Sequence, residues 1–180
     1  MTQYRQNLAA CFIFLRRYED AEKILNDISR EFPKFPLVNF HLGLVAEEKD
    51  DLALAENSYR KEIECYPRSV PARFNLGKLC LKNGDFGGYM EQMNEIVKLE
   101  PEMAEGRLFL ARGQLRDPAA DLAAVEVNVE IGLKNTRAPD LLALGWFLMA
   151  DIYSRRQLPA RVSEALRKAN HYKALQGKTT

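Results

Sequence analysis

Residues 36–69 read PLVNFHLGLVAEEKDDLALAENSYRKEIECYPRS, and the chain on either side repeats the plan of this stretch. Pro33, Pro67 and Pro101 are 34 residues apart, and Leu8, Leu42, Leu76 and Leu110 keep the same step. A fixed period of this length marks a chain of like supersecondary units, each too small to bury its apolar face without a neighbour. The period divides the sequence into segments at 2–35, 36–69, 70–103, 104–142 and 143–176, with five residues inserted before the last. Within each, two stretches of helical apolar spacing flank a short polar corner, so two helices per unit are expected.

In the third segment the corner is Asn83-Gly84-Asp85. Glycine supplies the positive φ that closes the first helix, and the aspartate is placed to cap the second. The equivalent corners are Arg16-Arg17, Lys49-Asp50-Asp51, Asp117-Pro118 and Gln157-Leu158-Pro159, with both prolines expected at helix starts. Ala9, Gly43, Gly77, Ala111 and Ala150 form a row of small residues, as a close helix crossing demands. Ala21, Ala55, Ala123 and Val162 form a second row that Tyr89 interrupts, and Leu25, Tyr59, Met93, Val127 and Leu166 supply a large apolar plug. Gly87-Gly88 weakens its helix by about 1 kcal/mol per glycine, which makes the third unit the least regular. Residues 119–134 are expected to form a lengthened helix, followed by a longer loop from Lys134 to Pro139.

Leu42-Gly43, Ala55, Tyr59 and Pro67, with Leu76-Gly77 and Pro101, and with Phe12 and Tyr153 at an aromatic place, resemble the tetratricopeptide-repeat (TPR) pattern, in particular bacterial-type arrays. The early tryptophan place holds Arg5, Asn39, Arg73 and Arg107, and Trp146 alone conforms. The resemblance implies an all-α, right-handed α-solenoid of about five helix-turn-helix repeats spanning 1–180 as a single array. It also implies a protein-interaction scaffold with no enzymatic activity, whose first helices line a concave groove that receives a partner segment.

Charge and composition narrow the partners. Lys and Arg number 26 against 25 Asp and Glu, so no overall field favours nucleic acid. No run reaches the roughly 20 apolar residues of a membrane span, and no signal peptide precedes the first helix, so a cytoplasmic location is the default for this chain. The net charge is +1 over 2–35, −3 over 36–69, −1 over 70–103 and +4 over 104–180. Cys11, Cys65 and Cys80 form neither a disulfide framework nor a metal cluster, and Cys11 and Cys80 read as core thiols. His41 and His171 lie far apart with no ligand spacing around either, so neither a metal nor a cofactor is expected.

Phe40, Phe74, Leu108 and Phe147 fall in one row of the first helices, behind Gln6, and form a candidate apolar floor. Lys78 and Lys82, then Arg112 and Arg116, are spaced four apart on their helices, and Arg155 extends the line. This stripe is either a receptor for the carboxylates of an acidic protein or peptide segment, or a solvated polar face. The places matching the carboxylate clamp of chaperone-tail-binding members hold Phe40, Leu44, Asn75, Glu105 and Phe109, so that subtype is not expected. The alternative function is an accessory or self-association module of a larger bacterial protein or enzyme, such as a sulfatase or transferase. In that reading homo-oligomers form through the array ends, around Tyr4 and around Tyr172 and Leu175.

Overall fold

The periodicity is realised as helical hairpins. The computed structural model describes residues 1–176 and contains ten helices among them: α1 Thr2–Phe14, α2 Tyr18–Glu31, α3 Val38–Glu48, α4 Leu52–Cys65, α5 Val70–Lys82, α6 Phe86–Leu99, α7 Ala104–Gln114, α8 Leu122–Lys134, α9 Pro139–Arg155 and α10 Pro159–Gln176. Two compact units, Met1–Gln92 and the residues from Met93 onward, divide within α6.

Four of the five corners share one hydrogen-bonding scheme. Arg16, Asp50, Gly84 and Gln157 adopt φ of 57, 59, 79 and 57°. In the first corner the Arg17 amide donates to the Phe12 carbonyl (2.8 Å) and the Arg16 amide to Ile13 (3.0 Å). The paired bonds recur as Asp51 to Ala46 with Asp50 to Glu47, Asp85 to Cys80 with Gly84 to Leu81, and Leu158 to Tyr153 with Gln157 to Ser154. This is the Schellman arrangement, which satisfies the last carbonyls of a helix through one left-handed residue. Asp51 and Asp85 then cap the next helix by accepting from the amides of Leu54 (3.0 Å) and Gly88 (2.9 Å).

The fourth corner differs. Residues 115–121 intervene between α7 and α8, and Asp121 rather than Pro118 marks the helix start, accepting from Ala123 (2.9 Å). The second helix is therefore 13 residues long and begins at Leu122, not a lengthened element from 119. From Asp85 to Asp121 the step is 36 residues, so everything after the corner is displaced by two. Val125 and Val129 are the buried residues of α8, whereas Ala123 and Val127 are exposed. The remaining inserted residues enter before the fifth hairpin, where α9 starts at Pro139 and runs 17 residues. Gly87-Gly88 does not disrupt α6, a continuous 14-residue helix. A Cβ on Gly88 would stand 2.9 Å from Cys80 Sγ and collide with the capping Asp85 carboxylate, so the glycine is what lets cap and helix coexist.

Arginine fills the expected tryptophan place by a different physical means. Arg73 donates to the Pro67 carbonyl (2.9 and 3.1 Å) and to Gln92 Oε1 (3.0 Å). One period later Arg107 donates to the Pro101 carbonyl (2.7 Å) and to Asn128 Oδ1 (2.7 Å). Each guanidinium thus ties the loop before its own hairpin to the hairpin's second helix, using several of its five donors. Arg5 pairs with the Glu31 carboxylate at 2.8 Å.

In the first unit Leu25 and Ile28 of α2 pack with Ala9 of α1 and with Val38 and Val45 of α3. Tyr59 of α4 is fully buried against Gly43, where a Cβ would fall inside the ring's van der Waals envelope. Glu62, also fully buried, accepts from the Leu37 amide (2.8 Å) at the start of α3, where Leu37 itself has φ 63°. In the second unit Leu108, Ala111, Val125, Val129, Met149 and Ile152 belong to one core.

Two expectations follow. Alanine at Gly43 gains about 1 kcal/mol of helix propensity but overpacks Tyr59 at a cost of about 1–3 kcal/mol, so Gly43→Ala lowers the denaturation midpoint. Burial pushes the Glu62 carboxyl above its usual range, offset in part by the amides of Leu37, Phe40 and Asn39. The folded chain therefore holds this proton more tightly than the unfolded one, and stability falls as pH rises from the ordinary glutamate value of about 4.3 through the raised folded value. Glu62→Gln, neutral throughout, should flatten that slope in urea denaturation from pH 4 upward.

Candidate functional site

In the first unit the candidate surface is carried by α3 and α5. Phe40 is half-buried, its ring 5.4 Å from His41 and 6.1 Å from Tyr59. The Tyr59 hydroxyl donates to the Glu47 carboxylate and accepts from Asn75 Nδ2 at 3.4 Å. Burial, then the neighbouring Glu47 carboxylate, pushes the Tyr59 phenol up and keeps it protonated. Burial pushes His41 below the ordinary histidine range, so it is neutral at pH 7. On α5, Phe74 is half-buried and the exposed Lys78 ammonium stands 6.0 Å from its ring centroid, within cation–π reach. One turn further, Lys82 makes a 3.7 Å pair with Asp50, both groups well exposed. Phe74, Lys78 and Lys82 thus share one face of one helix at four-residue spacing.

In the second unit the surface is reduced relative to the expectation. Leu108 is fully buried and forms core rather than floor. The cause lies in two glycines: a Cβ on Gly132 or on Gly145 would meet Leu108 atoms, the first at 2.5 Å and the second at 3.3 Å. At the Gly132 place the first two hairpins carry Ile28 and Glu62, which leave no such room. Arg155 is committed internally: its guanidinium binds Asp151 (3.0 and 3.3 Å), the Asp117 carbonyl (3.1 Å) and the Leu115 carbonyl. The lengthened corner has no left-handed residue to satisfy those carbonyls, and Arg155 does so instead. Phe147 is 37% exposed, and Arg112 and Arg116 are exposed. Gln6, ahead of the aromatic row, is buried and donates to the Pro36 carbonyl (2.5 Å).

Two further features were not visible in the sequence. A groove of about 420 Å³ opens between α2 and α4 over α3, lined by Asn26, Ser29, Asn39, Leu42, Ser58 and Lys61 among others, with Lys49 paired to Glu22 at 2.6 Å on its wall. Cys11, expected in the core, is exposed on α1, whereas Cys80 is buried and its thiol pushed up by burial. Among the described residues no three His, Cys, Asp or Glu side chains gather in a way that holds a metal ion, and no helix is long and apolar enough to cross a membrane.

Consecutive helical hairpins at a 34-residue step, closed by a proline turn and packed small residue against large, constitute the tetratricopeptide-repeat fold. The chain superimposes on MamA with a TM-score of 0.76 at 12% identity, over 94% of this chain and 96% of that one. It superimposes on a MamA double mutant at 0.75 and 17% identity, over 97% and 96%. YrrB, described as a TPR protein with an unusual peptide-binding site, matches at 0.73 and 14% identity, over 98% and 91%. No family model matches the sequence, and no curated protein does.

Replacing Arg155 by alanine should cost about 1–3 kcal/mol, as hydrogen bonds to a charged group do, because the Leu115 carbonyl loses its donor and the Asp117 carbonyl keeps only the Ala120 amide (3.2 Å). Chemical denaturation followed by far-UV circular dichroism reads that loss.

Proposed function

We propose that the chain is a protein-interaction module that receives an acidic, extended peptide segment on the first-helix faces of its hairpins. The observation that carries this reading is that, among the described residues, no carboxylate pairs with Lys78 or Arg112, while the Lys78 ammonium stands within cation–π reach of the half-buried Phe74 ring. Lysine and arginine held out from a helix beside half-buried aromatic rings suit a partner that brings both carboxylates and apolar side chains. Phe40, Phe74, Lys78 and Lys82 form the candidate face of the first unit, and Arg112, Arg116 and Phe147 form a separate candidate face of the second. The fork of Arg112 gives bidentate geometry toward a carboxylate, and Lys78 gives a point charge over Phe74. Leu108 and Arg155 take no part, being spent on core and corner. The peptide-binding site named for YrrB supports the general mode, and the acidic preference comes from this chain's own residues.

The test is fluorescence anisotropy with a labelled Asp/Glu-rich peptide interspersed with leucines, beside a peptide in which Asn and Gln replace the acids. Lys78→Glu with Lys82→Glu, and separately Arg112→Glu with Arg116→Glu, should each weaken binding at least tenfold, or about 1.4 kcal/mol, and reduce its salt dependence. Equal affinity for both peptides, or binding untouched by either pair of reversals, removes the basic faces from the site.

A further inference from the structure

The groove between α2 and α4 has a cause in the repeat register. In hairpin three Arg73 donates to the Pro67 carbonyl and to Gln92 Oε1, and in hairpin four Arg107 donates to the Pro101 carbonyl and to Asn128 Oδ1. Thirty-four residues before Pro67, Arg73 and Gln92 stand Pro33, Asn39 and Ser58. Both members of the side-chain pair are shortened in hairpin two, and no guanidinium of its own lies between them. Asn39 and Ser58 instead line the groove of about 420 Å³.

What remains is a set of acceptors without a donor. Ser58 is 6% exposed, yet among the described residues its hydroxyl has no hydrogen-bond partner, and neither has the Asn39 side chain or the Pro33 carbonyl. A buried polar group left unpaired is costly, so the site favours a group that donates. One turn beyond Ser58 on α4, the fully buried Glu62 carboxylate binds the Leu37 amide through Oε1 and has Oε2 unpartnered. Hairpin three carries Ile96 at that place. Asn26 and Ser29 of α2 bring two more unpaired polar side chains to the groove, and Leu42 and Leu54 give it apolar surface. Lys49 on the wall is neutralised by Glu22 at 2.6 Å. Lys61 is exposed at the rim, where hairpin three carries Glu95.

We propose that this groove receives an arginine side chain from a partner chain, whose guanidinium takes the position that Arg73 and Arg107 take in the next two hairpins. In both internal examples the guanidinium is held by neutral oxygens, a proline carbonyl and a side-chain amide, and hairpin two offers the same kind of acceptor in Pro33, Asn39 and Ser58. The planar fork with its five donors suits several such oxygens at once, whereas a lysine ammonium is a compact point charge. The aliphatic stem of the arginine lies along Leu42 and Leu54. Residues 36–69 carry a net charge of −3, which favours a basic segment over an acidic one. The site belongs to α2, α3 and α4 and shares no residue with the basic faces, so it does not rest on the peptide-binding reading.

The test is a titration of the full chain with N-acetyl-arginine methylamide, followed by ¹H–¹⁵N NMR at the side-chain amides of Asn26 and Asn39 and the backbone amide of Ser58. These resonances should shift saturably, with at least fivefold weaker binding of the lysine analogue and none of the uncharged citrulline analogue. Asn39→Arg with Ser58→Gln installs hairpin three's own pair; it should raise the denaturation midpoint and abolish binding. Circular dichroism checks its fold, and Ser58→Gln alone replaces it if the double variant does not fold. Lys61→Glu should tighten arginine binding severalfold. No saturable shift at tens of millimolar overturns the proposal, as does equal binding of the lysine analogue or binding that survives in the filled variant. Shifts of the same resonances by N-acetyl-glutamate, lost in Lys61→Glu, would make the groove an anion site and overturn it as well.

Discussion

Everything in this fold follows from how closely two helix backbones approach. A helical hairpin of about 30 residues cannot bury its apolar stripe alone, so each must lie tightly on a neighbour, and tight approach needs a missing side chain opposite a large one. Gly43 beneath the Tyr59 ring meets that need in the first unit. In the second the large partner comes from a first helix, Leu108, and the vacancies come from Gly132 and Gly145. The same rule with the roles exchanged changes what is left outside. Where the ring of Tyr59 fills the gap, Phe40 stays half-buried at the surface; where Leu108 fills it, the corresponding surface loses its apolar residue.

The corners impose the second constraint. Four place a residue in the left-handed region, and in three of these it is Arg16, Asp50 or Gln157 rather than glycine. The strain of a side chain in that region is accepted because the paired amide bonds satisfy the end of the helix and fix the direction of return. The fourth corner gives up this device, gains two residues of register, and draws on a guanidinium from α9 to satisfy its carbonyls.

The sequence shows the unit, the number of hairpins and most corners directly, because a proline turn and a leucine–small pair recur at fixed intervals. It misplaces the second helix of the fourth hairpin for a definite reason. Leu110-Ala111 lies before the insertion and no closing proline stands at the expected distance after it, so a constant step carries Ala123 and Val127 into places that Val125 and Val129 occupy. The roles of Arg73 and Arg107 are hidden because a motif records which residue is missing, not which hydrogen bonds its replacement makes. The exposure of the aromatic row is equally non-local. Phe40 and Leu108 occupy equivalent places, and only Gly132 and Gly145, more than 20 residues away along the chain, separate a surface residue from a core one.

Arg155 gives the array an asymmetry that a stack of identical modules would lack. In an ideal repeat protein the stability of each unit is its own plus a term from contact with its neighbours, and units are interchangeable. Here the fourth hairpin has moved part of its own loop closure onto the fifth, whose guanidinium holds the corner carbonyls from outside. The fourth and fifth hairpins consequently form one inheritance unit: a recombination event or an engineered truncation that separates them leaves the fourth with an unlaced corner, whereas a cut between hairpins joined only by their packed faces breaks no such strap.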